Sequence, residues 1–343
     1  MKIFNNFSKI VLLVTLAMTV FGCSKSDTTD TTSTKSILAM AQNQPNLTTF
    51  VQALQITGLD ATLSSGNYTV FAPSNDAFTS YFSSTVIQYP NTVAYPNISA
   101  MPVAVLKNLL LNHVITGNFK STDLTTNSFV KTNAFGAQST TNNLNMLVTN
   151  VANVIKLNNN ATVAVPNLTT DTGVLHIVDR VIGLPRLTDL LTANTNFSKL
   201  VSFLKVTGQQ DFTASPYLGN TTGVTVFAPT NTAFSALETE LNIVLGSPTA
   251  TPPVAPVGIT PAMITNVLKY HFVNTTILST ALTQGQTVTT LLTPAPNTFT
   301  VNLTIGVKLF DLHSPQRAAS VIAADIQANN GVIHVLDKVL LPF

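Results

Sequence analysis

Apolar and polar positions alternate in two regular patterns, and each pattern occurs twice along the chain. Apolar residues recur at helical spacing from Ile37 to Leu54 and again from Leu187 to Leu204. Each helical stretch precedes a short apolar run that ends at a proline, "TVFAP", which is typical of a strand. Alternating patterns then fill the last third of each half. The predicted strands are Val148, 155–157, 162–165 and 174–178 in the first half, and 299–303, 307–310, 320–322 and 332–336 in the second.

Three motifs show that the second half repeats the first. "YTVFAPSNDAF" at 68–78 matches "VTVFAPTNTAF" at 224–234, and "LLLNHVITGNF" at 109–119 matches "VLKYHFVNTTI" at 267–277. "GVLHIVDRVIGLP" at 173–185 matches "GVIHVLDKVLLPF" at 331–343. The order is the same, and in each copy 63 residues separate the two repeated histidines. The sequence therefore predicts two homologous domains, 36–185 and 186–343.

The N-terminus has the pattern of an export leader. Lys2 and Lys9 precede an apolar run, 10–21, that is too short to span a membrane as a helix. Directly after it comes Cys23, the single cysteine of the chain, which excludes an intramolecular disulfide. The stretch resembles the lipobox of bacterial lipoproteins, and this resemblance implies cleavage after residue 22 and lipid attachment at Cys23. We expect 1–22 to be the signal peptide and the membrane to be a partner through Cys23, most simply at the bacterial outer membrane.

Residues 23–35 lack large apolar side chains and are predicted to form a flexible tether. The triplets at 27–29 and 30–32, both Asp-Thr-Thr, resemble O-glycosylation acceptors of Bacteroidetes, although chance matches in a Thr-rich tether are equally compatible. Neither the ligand nor the orientation, at the cell surface or facing the periplasm, follows from the sequence.

The charge balance argues against nucleic acid as a partner. Charged residues make up only 9% of the chain, with 16 Lys and Arg against 14 Asp and Glu. Loss of 1–22 removes Lys2 and Lys9 and leaves 14 of each sign, so the mature net charge is zero. No basic patch stands out that could neutralise phosphates.

The three motifs together resemble the fasciclin-like domain. The resemblance covers about 300 residues, from near Ser36 to Phe343. It implies an α+β fold: two tandem fasciclin domains, each a wedge-shaped β-sandwich flanked by helices. It also implies adhesion or ligand binding at a cell surface, without catalysis. In fasciclin proteins the segment around the histidine matched by His113 and His271 has been implicated in receptor binding, and only the second copy keeps the Tyr-His pair, Tyr270-His271.

The repeated histidines favour structural roles over a metal or catalytic site. Each copy has two histidines far apart in sequence and no cysteine, whereas a closed zinc site needs about four ligands. We therefore predict that His113, His176, His271 and His334 hydrogen-bond within the fold and that no metal or other cofactor is bound. A Ser-His-Asp hydrolase is disfavoured because His176 and Asp179, three apart on a strand, point to opposite faces.

Two further groups of polar residues are candidates. Asn75 and Asn231 follow the strand and proline of the first motif, and we expect each to tie a turn to its own backbone. Tyr89 and Tyr95 lie in a proline-rich stretch and are candidate ligand contacts, because glycans stack on exposed aromatic rings and the chain has no Trp. Three functions stay open: adhesion, a carbohydrate-binding accessory of a glycan uptake system, and a structural spacer of the envelope.

Overall fold

The computed structural model describes residues 36–83, 94–204, 211–219, 221, 223–245, 260–313 and 317–343. Every described residue belongs to one compact unit, Thr34–Phe343. That unit contains both repeats. The predicted signal peptide, the predicted tether, Cys23 and Tyr89 lie outside the described residues. Among the described residues, no helix is long and apolar enough to span a membrane.

The repeats contain corresponding helices and strands. Domain 1 has the helices α1 Ile37–Gln42, α2 Thr48–Thr57, α3 Asp60–Ser64, α4 Asn75–Ser83 and α5 Val103–Leu111, and the strands β1 Tyr68–Pro73, β2 Val114–Thr116, β3 Ser128–Phe135, β4 Asn143–Val151, β5 Val154–Leu157, β6 Ala161–Thr170 and β7 Gly173–Val178. Domain 2 has the helices α6 Leu187–Ala193, α7 Ser198–Leu204, α8 Asn231–Leu241 and α9 Pro261–Lys269, and the strands β8 Val224–Pro229, β9 Phe272–Val273, β10 Thr287–Thr289, β11 Thr298–Asn302, β12 Lys308–Phe310, β13 Ala318–Ala328 and β14 Gly331–Leu336.

The two sheets share one strand order and differ at one seam. In domain 1, neighbouring strands pair from β1 to β7, and β7 returns to pair with β1, which closes a barrel. In domain 2 the order is β10-β11-β12-β13-β14-β8-β9, and the sheet stays open because β9 and β10 do not pair. The corresponding contact in domain 1, between β2 and β3, consists of the single residue pair Ile115 and Thr132. The predicted α+β fold with two tandem domains is confirmed.

Each sheet separates two apolar layers, because alternate residues of a strand face opposite sides. In β1, Val70 and Ala72 pack against the helices, whereas Phe71 enters the barrel interior with Met146 and Val148. The central strands are therefore buried on both faces, and they lack the apolar–polar alternation of a half-exposed strand. Domain 2 repeats this division, with Phe227 in the layer that the helices do not cover.

The glycine that opens the third motif is required by a close approach of two parallel strands. Gly173 begins β7 and Gly331 begins β14, each with a φ of +155°. A Cβ at Gly173 would lie 2.0 Å from the carbonyl oxygen of Tyr68, and one at Gly331 would lie 2.1 Å from that of Val224. Any side chain would thus separate β7 from β1 or β14 from β8.

Helix ends follow the local sequence signals. α2 ends at Gly58, which adopts the left-handed conformation with φ 66°. The hydroxyl of Ser74 accepts a hydrogen bond from the Ala77 N–H at the start of α4, at 3.1 Å. Thr230 does the same for Ala233 at the start of α8, at 3.2 Å. The Ser-to-Thr exchange between the repeats thus conserves an N-cap, because either hydroxyl can accept this hydrogen bond.

The two domains share an apolar contact and a set of hydrogen bonds. Leu147 of β4 is fully buried in the core of domain 2, against which Phe129 of β3 also packs. The Asn145 carboxamide oxygen accepts from the Gln327 N–H at 2.8 Å, and the Asn329 carboxamide oxygen accepts from the Ala137 N–H at 2.8 Å. Domain 1 therefore supplies part of the core of domain 2.

Candidate functional site

The first repeated histidine connects its helix to the end of its own domain. The His113 Nδ1 lies 2.8 Å from the Leu109 carbonyl oxygen, and Nε2 lies 2.8 Å from the Ile182 amide nitrogen. Because a carbonyl only accepts and a backbone N–H only donates, Nδ1 carries the proton and Nε2 is bare. His271 repeats this arrangement with the Val267 oxygen at 2.7 Å and the Leu340 nitrogen at 3.0 Å.

The second repeated histidine is held in the opposite tautomer. The His176 Nε2 donates to the Phe119 carbonyl at 3.0 Å, and Nδ1 accepts from the Asn167 N–H at 3.2 Å. In domain 2, the His334 Nε2 donates to the Ile277 carbonyl at 2.8 Å, and Nδ1 accepts from the Asp325 N–H at 3.4 Å. All four histidines thus have both ring nitrogens bonded to backbone groups of the fold.

Burial keeps these rings neutral. Loss of hydration lowers the pKa of His113 to about 4, and the hydrogen bond to the Leu109 carbonyl opposes this only partly. Burial, together with the smaller effect of the positive charge of Arg317, likewise lowers the pKa of His271 to about 4. Burial also lowers the pKa of both His176 and His334. Neutral rings whose nitrogens are both occupied are poorly placed for metal binding or general base catalysis.

The repeated asparagines hold one helix onto another, so the prediction that each ties a turn to its own backbone is wrong. The Asn75 Oδ1 accepts from the Thr49 N–H at 3.0 Å, and Nδ2 donates to the Pro45 carbonyl at 3.2 Å. In domain 2, the Asn231 Oδ1 accepts from the Lys199 N–H at 2.8 Å, and Nδ2 donates to the Thr195 carbonyl at 2.8 Å. The carboxamide therefore supplies the missing cap of α2 or α7, a contact distant in sequence.

The tyrosines differ in their access to ligands. Tyr270 is fully buried, its hydroxyl donates to the Thr298 carbonyl, and burial raises its pKa. Its counterpart Asn112 is also buried and donates to the Gly183 carbonyl at 3.0 Å. Tyr95 is partly buried and packs against the helix-side core of domain 1. The Tyr-His pair of the second repeat therefore has no side chain at the surface.

The carboxylates that follow the second histidine contact the neighbouring strand. The Asp179 Oδ1 accepts from the Thr162 N–H at 2.6 Å, and the Asp337 Oδ1 accepts from the Ser320 N–H at 2.6 Å. Each carboxylate thus joins the end of β7 or β14 to β6 or β13. Within the described ranges, no group of three or more His, Cys, Asp and Glu side chains could hold a metal ion.

One repeated pair of polar residues escaped the sequence prediction. Asn167 and Asp325 lie at equivalent positions with φ of 64° and 58°. The Asn167 carboxamide accepts from the Ser121 N–H at 2.8 Å, and the Asp325 carboxylate accepts from the Ser279 N–H at 2.8 Å. A residue-by-residue alignment of the two repeats places Ser121 opposite Ser279 and Asn167 opposite Asp325. Such an alignment would have revealed this repeated pair from the sequence.

The open surface of domain 1 contains a groove of about 300 Å³ at the seam between β2 and β3. Polar side chains of Lys131, Asn133, Asn143 and Thr116 surround it, and its apolar lining includes Phe119. None of these residues belongs to the repeated motifs apart from Thr116 and Phe119, so motif comparison could not find the groove. It requires the folded barrel.

Comparison with known proteins establishes the family. The family model of the Fasciclin domain matches residues 45–185 and 195–342, so the chain belongs to the fasciclin family and has two tandem copies of its domain. The family membership that the resemblance to the fasciclin-like domain implied is thereby confirmed.

Several relatives are similar over one or both domains. Periostin of Homo sapiens is 28% identical over 288 residues, which cover 81% of this chain and 28% of periostin. The transforming growth factor-beta-induced protein ig-h3 of Oryctolagus cuniculus is 24% identical over 281 residues, which cover 81% of this chain and 35% of ig-h3. Protein sll1483 of Synechocystis sp. is 32% identical over 156 residues, 45% of this chain and 72% of that protein. The chain thus spans about a third or less of the length of periostin and ig-h3.

Among solved structures, the FAS1 domain pair from the insect cell adhesion molecule fasciclin I is similar, with a TM-score of 0.48 and 18% sequence identity. The match covers 85% of this chain and 95% of that one.

Proposed function

We propose that this chain is an envelope lipoprotein that mediates adhesion or extracellular ligand binding through its two fasciclin domains. In this proposal Cys23 carries the lipid that holds the protein on the outer membrane, and the domains face the medium. The protein binds and does not catalyse a reaction.

The observation that supports a binding role is that the residues of the repeated motifs make their hydrogen bonds within the fold. The four repeated histidines, both repeated asparagines and Tyr270 all make hydrogen bonds within the fold. The repeated residues therefore build a scaffold, and specificity is left to surfaces that differ between the domains. Because domain 1 contributes to the core of domain 2, these surfaces are presented in a fixed relation, which favours simultaneous engagement of one partner.

An adhesion assay tests the binding role. The protein without residues 1–22 and with Cys23→Ser is coated on a surface, and retention of bacterial cells, host cells, purified matrix proteins and glycans is measured. Dose-dependent retention that is lost after heat denaturation of the coat is expected. If the folded protein retains none of these, adhesion is contradicted and a structural spacer is the better account. Retention of glycans alone would favour the accessory of a glycan uptake system.

The anchor and its orientation are tested separately in intact cells. Wild-type protein is expected to partition into detergent and to be cleaved by protease added outside the cells, whereas Cys23→Ser is expected in the aqueous phase. Wild-type domains that survive protease until the cells are lysed would contradict the outward orientation.

A further inference from the structure

The groove at the β2–β3 seam has an apolar base and a polar rim. Ile115 and Thr132 form the single residue pair between the two strands, and the space beside that pair amounts to about 300 Å³. This volume lies at the lower end of the range for small-ligand pockets, about 300–1,000 Å³. The lining residues are Ile115, Thr116, Phe119, Val130, Lys131, Thr132, Asn133 and Asn143.

The rim carries one positive charge and unused amide groups. Lys131 is exposed, is the single charged residue of the lining, and makes no ion pair within the described part of the chain. The Asn133 Oδ1 accepts from the Thr116 hydroxyl at 3.2 Å, which leaves its Nδ2 donors available. The Asn143 side chain makes no hydrogen bond to described residues. A ligand here would meet a cation, several amide donors and an amide acceptor.

An exposed aromatic ring lies further along β3, outside the lining of the groove. Thr132 and Ala134 are buried, whereas Lys131 and Phe135 are exposed, and β3 shifts its register with β4 between these two exposed residues. Phe135 is 38% exposed, which is unusual for a phenylalanine side chain on a strand. Its backbone is fixed by the Asn108 carboxamide, which accepts from the Phe135 N–H at 3.0 Å and donates to its carbonyl at 2.8 Å.

Domain 2 shows that the fold does not require this rim. Thr290 reproduces Thr132 closely: its hydroxyl donates to the Asn297 carbonyl at 2.7 Å and accepts from the Leu292 N–H at 3.3 Å. The corresponding distances for Thr132 are 3.2 Å to the Leu144 carbonyl and 3.3 Å to the Ala134 N–H.

The rim residues themselves are replaced in the second repeat. Thr289 stands where domain 1 has Lys131, Leu291 where it has Asn133, and Thr293 where it has Phe135. The cation and the amide of the rim are therefore additions to a common scaffold, and their joint exchange points to a function specific to domain 1.

We infer that this groove binds an acidic sugar residue of a glycan, with the Lys131 ammonium on the sugar carboxylate. Asn133 and Asn143 would hydrogen-bond the hydroxyl groups of the sugar, and the apolar face of the sugar would lie on the apolar lining of the groove. An extended acidic peptide fits less well, because it would pair along a strand edge, and the β2 side of β3 is interrupted by the pair of Ile115 with Thr132 and by the hydrogen bonds of Asn108 to the Phe135 backbone. The inference rests on the proposed ligand-binding function and adds the ligand class and the site.

Calorimetric titration of the chain without residues 1–22 and with Cys23→Ser tests it, with an oligogalacturonide as the acidic probe and a dextran oligosaccharide as the neutral one. The oligogalacturonide is expected to bind, and added salt is expected to weaken its binding.

Lys131→Thr, which installs the residue of domain 2, should weaken binding of the oligogalacturonide by about tenfold, and Lys131→Arg should preserve most of the affinity. Lys156→Thr, which removes an exposed lysine from β5 of the same barrel, is the matched control and should change the affinity by less than about twofold.

The outcomes separate this inference from the proposed function. Absence of oligogalacturonide binding, equal binding of the neutral probe, or equal losses in Lys131→Thr and Lys156→Thr each overturn the acidic-sugar site. If Lys131→Thr loses the oligogalacturonide but keeps the adhesion measured above, the site is supported and adhesion uses another surface. If adhesion fails for every coat while the oligogalacturonide binds through Lys131, the proposed adhesion fails and the site stands.

Discussion

Each repeated histidine is fixed as one neutral tautomer by a carbonyl on one side and an N–H on the other. Protonation of His113 would place a second ring N–H against the Ile182 N–H, which lies 2.8 Å from Nε2. The same conflict arises between His271 and the Leu340 N–H at 3.0 Å. Burial and hydrogen bonding therefore both disfavour protonation of these rings in the folded protein. Their combined effect can be measured as the dependence of the free energy of unfolding on pH.

We expect the free energy of unfolding to fall as the pH drops from about 6.5 to about 4. The unfolded chain takes up protons at His113 and His271 near pH 6.5, whereas the native rings do so only near pH 4, so acid favours the unfolded state in that window. The shifts correspond to about 3 kcal/mol for each histidine.

Urea unfolding at pH 7, 5.5 and 4.5 measures this loss. The double variant His113→Gln, His271→Gln is the control and should show a shallower dependence on pH. A wild-type stability that stays constant from pH 7 to 4.5 would contradict the assignment of neutral histidines.

At the scale of secondary structure elements, one bulge in each long strand positions a side chain that holds a neighbouring loop. The strands β6 and β13 change register with their partners near Asn167 and Asp325, where the backbone turns left-handed. There the side chain reaches Ser121 or Ser279, in the segment that also supplies the carbonyl partner of the second histidine. One bulge thus organises a strand, a loop and a buried ring.

Substitution of Asp325 tests this role of the bulge. Asp325→Ala should lower the free energy of unfolding by about 1–3 kcal/mol, because it leaves the Ser279 N–H without its acceptor and places alanine at positive φ. Asp325→Asn should be tolerated, since Asn167 fills the equivalent position in domain 1. Chemical denaturation of both variants measures the difference. Equal losses in the two would show that the charge of Asp325 matters rather than its acceptor geometry and its tolerance of the left-handed backbone.

At the scale of the whole molecule, the two domains behave as one body because they share apolar packing. Leu147 has no exposed surface and lies in the core of domain 2, although it belongs to a strand of domain 1. Gly136 brings the backbones close together: a Cβ there would lie 3.1 Å from the Ala328 carbonyl oxygen. We therefore expect a single cooperative unfolding transition for the two domains.

Leu147→Ala should uncouple the domains. Loss of the side chain is expected to cost about 2–5 kcal/mol and to split the calorimetric transition into two. Val148→Ala is the matched control, because the adjacent side chain points into the barrel of domain 1 and does not contact domain 2. It should lower stability without splitting the transition. Two transitions already present in the wild type would contradict the shared core.

The sequence by itself determined the features that depend on local order and on repetition. The duplication follows from the three repeated motifs and the α+β class from the resemblance that they carry, and the structure confirms both. The N-caps at Ser74 and Thr230 and the helix end at Gly58 depend on neighbouring residues alone. The wide spacing of the two histidines in each copy favoured structural roles, and in the structure both ring nitrogens of each histidine bond to backbone groups.

Tertiary structure alone decided the contacts between residues distant in the chain. The partners of Asn75, the opposite tautomers of the two histidines, the closure of one barrel but not the other, and the groove beside Lys131 each join segments that many residues separate. No periodicity encodes such pairs, because a local pattern shows which face of an element is apolar but not which other element will cover it. For the same physical reason the scaffold of this protein can be read from its sequence, whereas its candidate binding surface required the folded chain.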